Sequence, residues 1–172
     1  MRMLLFALAA LVATPAQAER LLVDYRVYPP LLAALDDMDG NVYFEQSDNP
    51  RFTLDRIKVQ GATLDTWQEA IELVIYPRNK SVTAPLDWFE AFRSSEDKTC
   101  PSTWEVLGSD EGSVLFSRTQ AKCKELAGQS RIYRALLGSR SVFIVAGLYR
   151  GELGDEMRGQ WLKLFETARL EP

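Results

Sequence analysis

The chain contains no histidine. Histidine is the usual general base near neutral pH and the commonest metal ligand, so its absence removes Ser-His-Asp and Cys-His catalysis from consideration. Zinc sites draw nearly all their ligands from His and Cys, and only Cys100 and Cys123 are present, so a zinc enzyme is not expected. The patterns G-x-G-x-x-G, P-loop and G-x-S-x-G are also missing, which leaves nucleotide-binding and α/β-hydrolase readings without support. Positive charge is scarce: 20 Lys plus Arg face 24 Asp plus Glu, a formal charge of −4. Nucleic-acid binders and electrostatic membrane binders need a basic surface, so neither class is expected.

Long apolar runs are likewise absent except at the start. Arg2 precedes the run Met3-Leu4-Leu5-Phe6-Ala7-Leu8-Ala9-Ala10-Leu11-Val12, and Pro15-Ala16-Gln17-Ala18 follows. This is the pattern of a secretory signal with cleavage after Ala18. The run of about 10 residues is too short to cross a bilayer, which takes roughly 20. No Cys follows the small residues, so no lipid anchor is expected. Residues 1–18 therefore read as a cleaved signal peptide and residues 19–172 as one exported domain, periplasmic or secreted, of formal charge −5 once Arg2 is gone. A domain of that length builds an adequate core without a metal, and no cofactor is expected.

Export changes the meaning of the two cysteines. In an oxidising compartment Cys100 and Cys123, 23 positions apart, are expected to form a disulfide, worth about 3 kcal/mol on the chain-entropy model. No C-x-x-C pair suggests redox chemistry.

Periodicity supplies the elements. Leu21–Tyr28 reads as a strand stopped by Pro29-Pro30, followed by a short helix over Leu31–Leu35 and a turn over Asp36–Asn41. Phe52 and Leu54 alternate with polar residues, as do Ile57 and Val59, but out of phase, which predicts a bulged strand. Gln68–Tyr76 reads as a mostly buried strand ended by Pro77. A helix is predicted over 83–95, with Thr83 as N-cap and Pro85 in the first turn. Trp104–Leu107 and Ser113–Ser117 read as paired strands. Ser130–Leu137 and Ser141–Tyr149 flank Gly138-Ser139, a turn expected to be of type II′. Met157, Trp161, Leu164, Phe165 and Ala168 form the apolar stripe of a last helix over 155–170, with Asp155 and Glu156 near its positive end.

Short connections between strands force antiparallel pairing, so the fold class is α+β: a single domain with a mainly antiparallel sheet flanked by two main helices. This order of elements over residues 50–170, with the tryptophan of the last helix, resembles the Mog1/PsbP-like architecture of small exported bacterial proteins. The resemblance implies a fold and no specific activity.

Several residue groups invite a chemical reading and receive a simpler one. Ser95-Glu96-Asp97-Lys98 matches S-x-x-K, but no S-D-N or K-T-G accompanies it and it sits at a helix end, so a solvated turn is expected. Asp36, Asp37 and Asp39 before Gly40 suggest a calcium loop, yet EF-hand spacing would put Leu35 at its first position. Asp110-Glu111 and Asp155-Glu156 fit turn and cap roles better than a pair of catalytic carboxylates. Asn79-Lys80-Ser81 is a sequon of relevance only in a eukaryotic secretory route. Most aromatics fit core positions. Trp88 falls off the line set by Leu86, Phe89 and Phe92, which makes it a candidate surface or ligand contact. Arg131 and Arg134, with Arg118, are the other candidates, as a basic sheet surface.

The function expected on these grounds is that of an exported, non-enzymatic accessory protein acting on a protein partner. The alternative is a small-ligand binder with an apolar pocket between sheet and helix, and a histidine-independent hydrolase stands third. No catalytic residue is nominated.

Overall fold

A computed structural model describes residues 19–48, 51–120, 123 and 129–172, and the expected signal peptide lies outside them. Strand β1 covers Arg20–Leu22. Asp24 then caps a single 3-10 turn, Tyr25–Val27, by accepting the Arg26 amide proton at 3.1 Å, so the strand expected over Leu21–Tyr28 ends after Leu22. Pro29 and Pro30 open helix α1, Pro29–Asp36, because a proline in the first helical turn lacks only an amide proton that has no intrahelical acceptor. Inside the expected turn lies a four-residue helix, α2, Met38–Asn41. It runs directly into β2, Val42–Asp48, a strand the sequence reading did not anticipate.

Next come β3, Arg51–Gly61, and β4, Trp67–Pro77. The phase slip in β3 has a different cause from the one expected. Register with β4 is unbroken from Thr53 to Lys58; Leu54 packs on one face while Ile57 and Val59 pack on the other. The two ends of the strand are apolar on opposite faces: Ile57 and Val59 pack into the core under α1, and Leu54 packs into the core on the other side of the sheet. The irregularity lies further along, where Lys58–Gly61 meets Trp67–Ala70, and it lets Trp67 share a face with Ala70. Gly61 takes φ 127° there, a value other residues avoid.

Helix α3, Pro85–Thr99, extends four residues beyond its expected end, and its N-cap is Ala84, without a side-chain hydrogen bond, in place of Thr83. Two hairpins follow as expected: β5, Thr103–Ser109, with β6, Ser113–Gln120, and β7, Gln129–Leu137, with β8, Ser141–Arg150. The second turn is not of type II′. Its loop is the three residues 138–140, closed by the Gly138 amide on Ser141 O at 2.9 Å, and the glycines at positive φ are Gly61 and Gly151. Helix α4 spans Asp155–Glu166 with Asp155 and Glu156 in its first turn. The chain leaves the helix before Ala168, which is buried all the same, and forms β9, Arg169–Glu171, antiparallel to β1.

Among the described residues, the main sheet has seven strands in the order β2-β3-β4-β8-β7-β6-β5, with every neighbouring pair antiparallel. The protein is a single α+β domain. Helix α3 lies over β5, β6 and β7 on one face, and α1 and α4 cover the other. Strand β8 is buried from Val142 to Leu148, as befits a strand with a helix-bearing layer on both sides. No described helix is long and apolar enough to cross a membrane.

Candidate functional site

The face under α1 and α4 holds one acid in an apolar setting. Glu69 is 0% exposed. Its Oε1 accepts the Tyr28 hydroxyl at 2.5 Å and the Trp161 indole N–H at 2.9 Å, while Oε2 is buried with no hydrogen-bond partner. These bonds tie β4 to the start of α1 and to α4. Burial, and then the bond to Glu69, pushes the Tyr28 hydroxyl pKa well up. Trp161 lies flat against Gly147, where a Cβ would overlap the indole ring. On the same face Arg134 donates to Phe165 O at 2.8 Å, satisfying a carbonyl at the end of α4. Asp110 closes the β5–β6 turn by accepting the Gly112 and Ser113 amides and the Ser113 hydroxyl. Partial burial opposes its charge, but Ser113 and Gly112 with nearby Arg134 prevail and hold the carboxyl below its usual pKa.

The face under α3 is rich in arginine. Arg118, 2% exposed, reaches Glu96 at 2.6 Å, Ser102 Oγ at 2.9 Å and Cys100 O at 3.2 Å, and lies 4.7 Å from the Trp104 ring centre. Arg56 pairs with Glu72. Arg131, directly across from Arg118, has neutral partners: Gln129 at 2.8 Å and the Tyr133 hydroxyl at 3.4 Å, with Nε unbonded. Tyr76 lies among these groups, and burial, reinforced by Glu96, Glu72 and Tyr133, pushes its pKa up to about 12.

The expected basic surface therefore does not form. Side chains alternate across a strand, so Arg131 and Arg134, three residues apart, point to opposite faces, and Arg118 is buried beneath α3. Trp88 is half-buried and stacks on Phe92, ring centres 5.0 Å apart. The space between α3 and the sheet is filled by Phe89, Phe92, Phe116 and Tyr133 at 4.8–6.0 Å. Cys100, at the end of α3, is disulfide-bonded to Cys123, Cα atoms 5.8 Å apart. The bridge fixes the far end of α3 to the connection that leaves β6.

The remaining sequence candidates stay apart. Ser95 and Lys98 are exposed in the last turns of α3, and Asp155 and Glu156 are exposed at the start of α4. Asn79 accepts the Ser81 amide in a local turn at 3.0 Å. Asp36, Asp37 and Asp39 are exposed, and among the described residues no three His, Cys, Asp or Glu side chains converge to hold a metal ion.

What the sequence reading missed is the β2 end of the molecule. Of the large apolar side chains left exposed among the described residues, five fall within residues 27–44: Val27, Leu32, Met38, Tyr43 and Phe44, with Met38 at 58% and Phe44 at 62%. Strand β2 is an edge of the sheet, so one row of its backbone groups faces outward. Phe44 lies opposite Asp55, whose Oδ1 is buried with no hydrogen-bond partner, and burial raises the Asp55 pKa. Beside Gln46, near the end of the strand, a cleft of about 400 Å³ is lined by Phe52, Ile75, Tyr76 and Arg140. The available signal was Val42-Tyr43-Phe44, three adjacent apolar residues directly after the acidic segment.

Compared with protein-family models, with curated proteins and with solved structures, the chain matches none.

Proposed function

We propose that the protein is an exported, non-enzymatic accessory protein that binds a protein partner through the β2 end. The observation that carries this reading is that exposed apolar side chains fall on an edge strand and on the two short helices before it: Leu32 on α1, Met38 on α2, and Tyr43 and Phe44 on the two faces of β2. Surface hydrophobes gathered in this way mark interaction sites more often than isolated ones do. The dense aromatic packing under α3 favours binding at the surface over an apolar ligand held between sheet and helix, since such a ligand needs a cavity of several hundred cubic ångströms. Export rests on the sequence of residues 1–18 and on the Cys100–Cys123 bond, which suits an oxidising compartment.

The test places a photo-crosslinking residue at position 44, and separately at exposed Glu90 on α3 as a control, in the full chain expressed in cells. The expected result is a discrete protein adduct from position 44 that is absent from position 90. Adducts from both positions alike, or from neither, would overturn the proposal.

A further inference from the structure

The β2 edge offers more than apolar area, because charge, backbone and cleft are arranged along one line. At its start are Asp36, Asp37 and Asp39, all exposed and none within ion-pair distance of a basic side chain among the described residues. The α2 turn joins them to β2 without a break, through the Val42 amide on Met38 O. Along the strand come Tyr43, Phe44 and Glu45, with the unbonded Asp55 Oδ1 next to Phe44. At its far end Gln46 borders the cleft of about 400 Å³ walled by Phe52, Ile75 and Tyr76.

We infer that β2 takes up an extended segment of a partner protein by strand addition. The segment carries Lys or Arg at the end facing Asp36, Asp37 and Asp39, and an apolar side chain at the end that enters the Phe52–Ile75–Tyr76 cleft. This rests on the proposed function and specifies its partner and mode. An added strand satisfies the outward backbone groups of an edge, while alternate side chains supply specificity. Seven residues at about 3.3 Å each span roughly 23 Å, the length of β2. The three exposed acids at one end, without basic partners among the described residues, call for a cationic segment. A second copy of this chain is the poorer occupant, since full-length antiparallel self-pairing of Val42–Asp48 sets Glu45 against its own copy, and like charges directly opposite are destabilising.

The probe is a heptapeptide of alternating Thr and Val with two Lys at one end and Phe at the other, made in both chain directions. Controls are an analogue with Glu in place of Lys and one N-methylated at alternate residues. Binding to the full-length mature chain is followed by fluorescence anisotropy. One direction of the basic peptide is expected to bind, at least tenfold more weakly to the Phe44→Asp variant and to an Asp36→Asn/Asp37→Asn/Asp39→Asn variant, and more weakly as salt is raised. N-methylation is expected to abolish binding. Equal binding of the Glu peptide, or binding indifferent to N-methylation, overturns strand addition. So does a wild-type dimer in sedimentation that Phe44→Asp dissolves. If no peptide binds yet position 44 still crosslinks a protein, the partner-binding reading stands and the strand mode fails. If neither occurs, both fail.

Discussion

The centre of the sheet and its β2 rim handle the same residue types in opposite ways. At the centre, Glu69 is shut away from water and held by two neutral donors, Tyr28 and Trp161, while Gly147 gives up a side chain so that the indole can lie against the strand. At the rim, Asp36, Asp37, Asp39 and Glu45 are without basic partners among the described residues, and Phe44 and Met38 are mostly exposed. Burial makes the central groups matter to folding, because a buried donor that loses its partner pays its full desolvation cost. Solvation makes the rim groups nearly neutral to folding and leaves them available for binding. The two regions therefore separate groups tied to folding by burial from groups that stand in water.

The sharpest way to break this comparison is Gly147→Ala. The new methyl overlaps the fully buried Trp161 ring, which must shift to admit it, so a loss of about 3 kcal/mol is expected in urea unfolding. Unchanged stability would mean that the centre is looser than its packing implies. Glu69→Ala follows in size. It strips the acceptor from the Tyr28 hydroxyl and the Trp161 N–H, each of which costs about 1 kcal/mol or more when left buried and unpaired, for a total of about 2 kcal/mol. Glu69→Gln keeps that acceptor and is expected to lose less than Glu69→Ala; the reverse order would remove the hydrogen bonds from the account.

At the rim the effects shrink. Phe44→Asp replaces a ring that is already 62% exposed, so stability is expected to stay within about 0.5 kcal/mol, read by thermal unfolding, while crosslinking at neighbouring Tyr43 is lost. A large drop in stability would place Phe44 with the core. The smallest effect belongs to Asp24. Hydrogen bonds from the Arg26 side chain and then its amide hold the partly exposed carboxyl at about 2, below the ordinary 3.8. Its contribution is present above the ordinary value and fades as pH falls from about 4 through about 2. The stability difference between wild type and Asp24→Asn should accordingly be larger at pH 5 than at pH 2, and a difference that grows on acidification would reverse the sign of the argument.

Which parts of this were legible beforehand follows from how local the information is. The hairpins β5–β6 and β7–β8, strand β4 and helix α4 repeat a period of two or of about 3.6, and each was read within a few residues. Strand β3 is irregular as expected, but at Lys58–Gly61 and not at the slip between Leu54 and Ile57, since a sequence cannot tell a bulge from a strand that is apolar on one face at one end and on the other face at the other. β2 was missed because an edge strand need bury only part of itself, and Val42–Asp48 alternates poorly. The type of the Gly138 turn was misjudged because glycine permits a positive φ without requiring one.

Of the candidate site, the acidic segment Asp36–Asp39 is visible in the sequence, but what lies beside it is not, since β2 joins it only in the folded chain. Arg131 and Arg134 were grouped by nearness along the chain, although residues three apart on a strand face away from each other. Asp55, Ile75 and the Gln46 cleft come together only through strand pairing.

The sequence by itself determined the absence of histidine chemistry, the acidic balance, the two cysteines available for one bond, and most of the elements, because each of these depends on composition or on neighbours a few residues apart. Tertiary structure alone decided that Glu69 lies beneath Trp161, that Arg118 is buried under α3, and that Tyr43 and Phe44 stand exposed on an edge strand. Those outcomes are set by strand order. It brings β4 and β8 to the middle, where both faces are covered, and leaves β2 outside, with one row of backbone groups and Phe44 facing water.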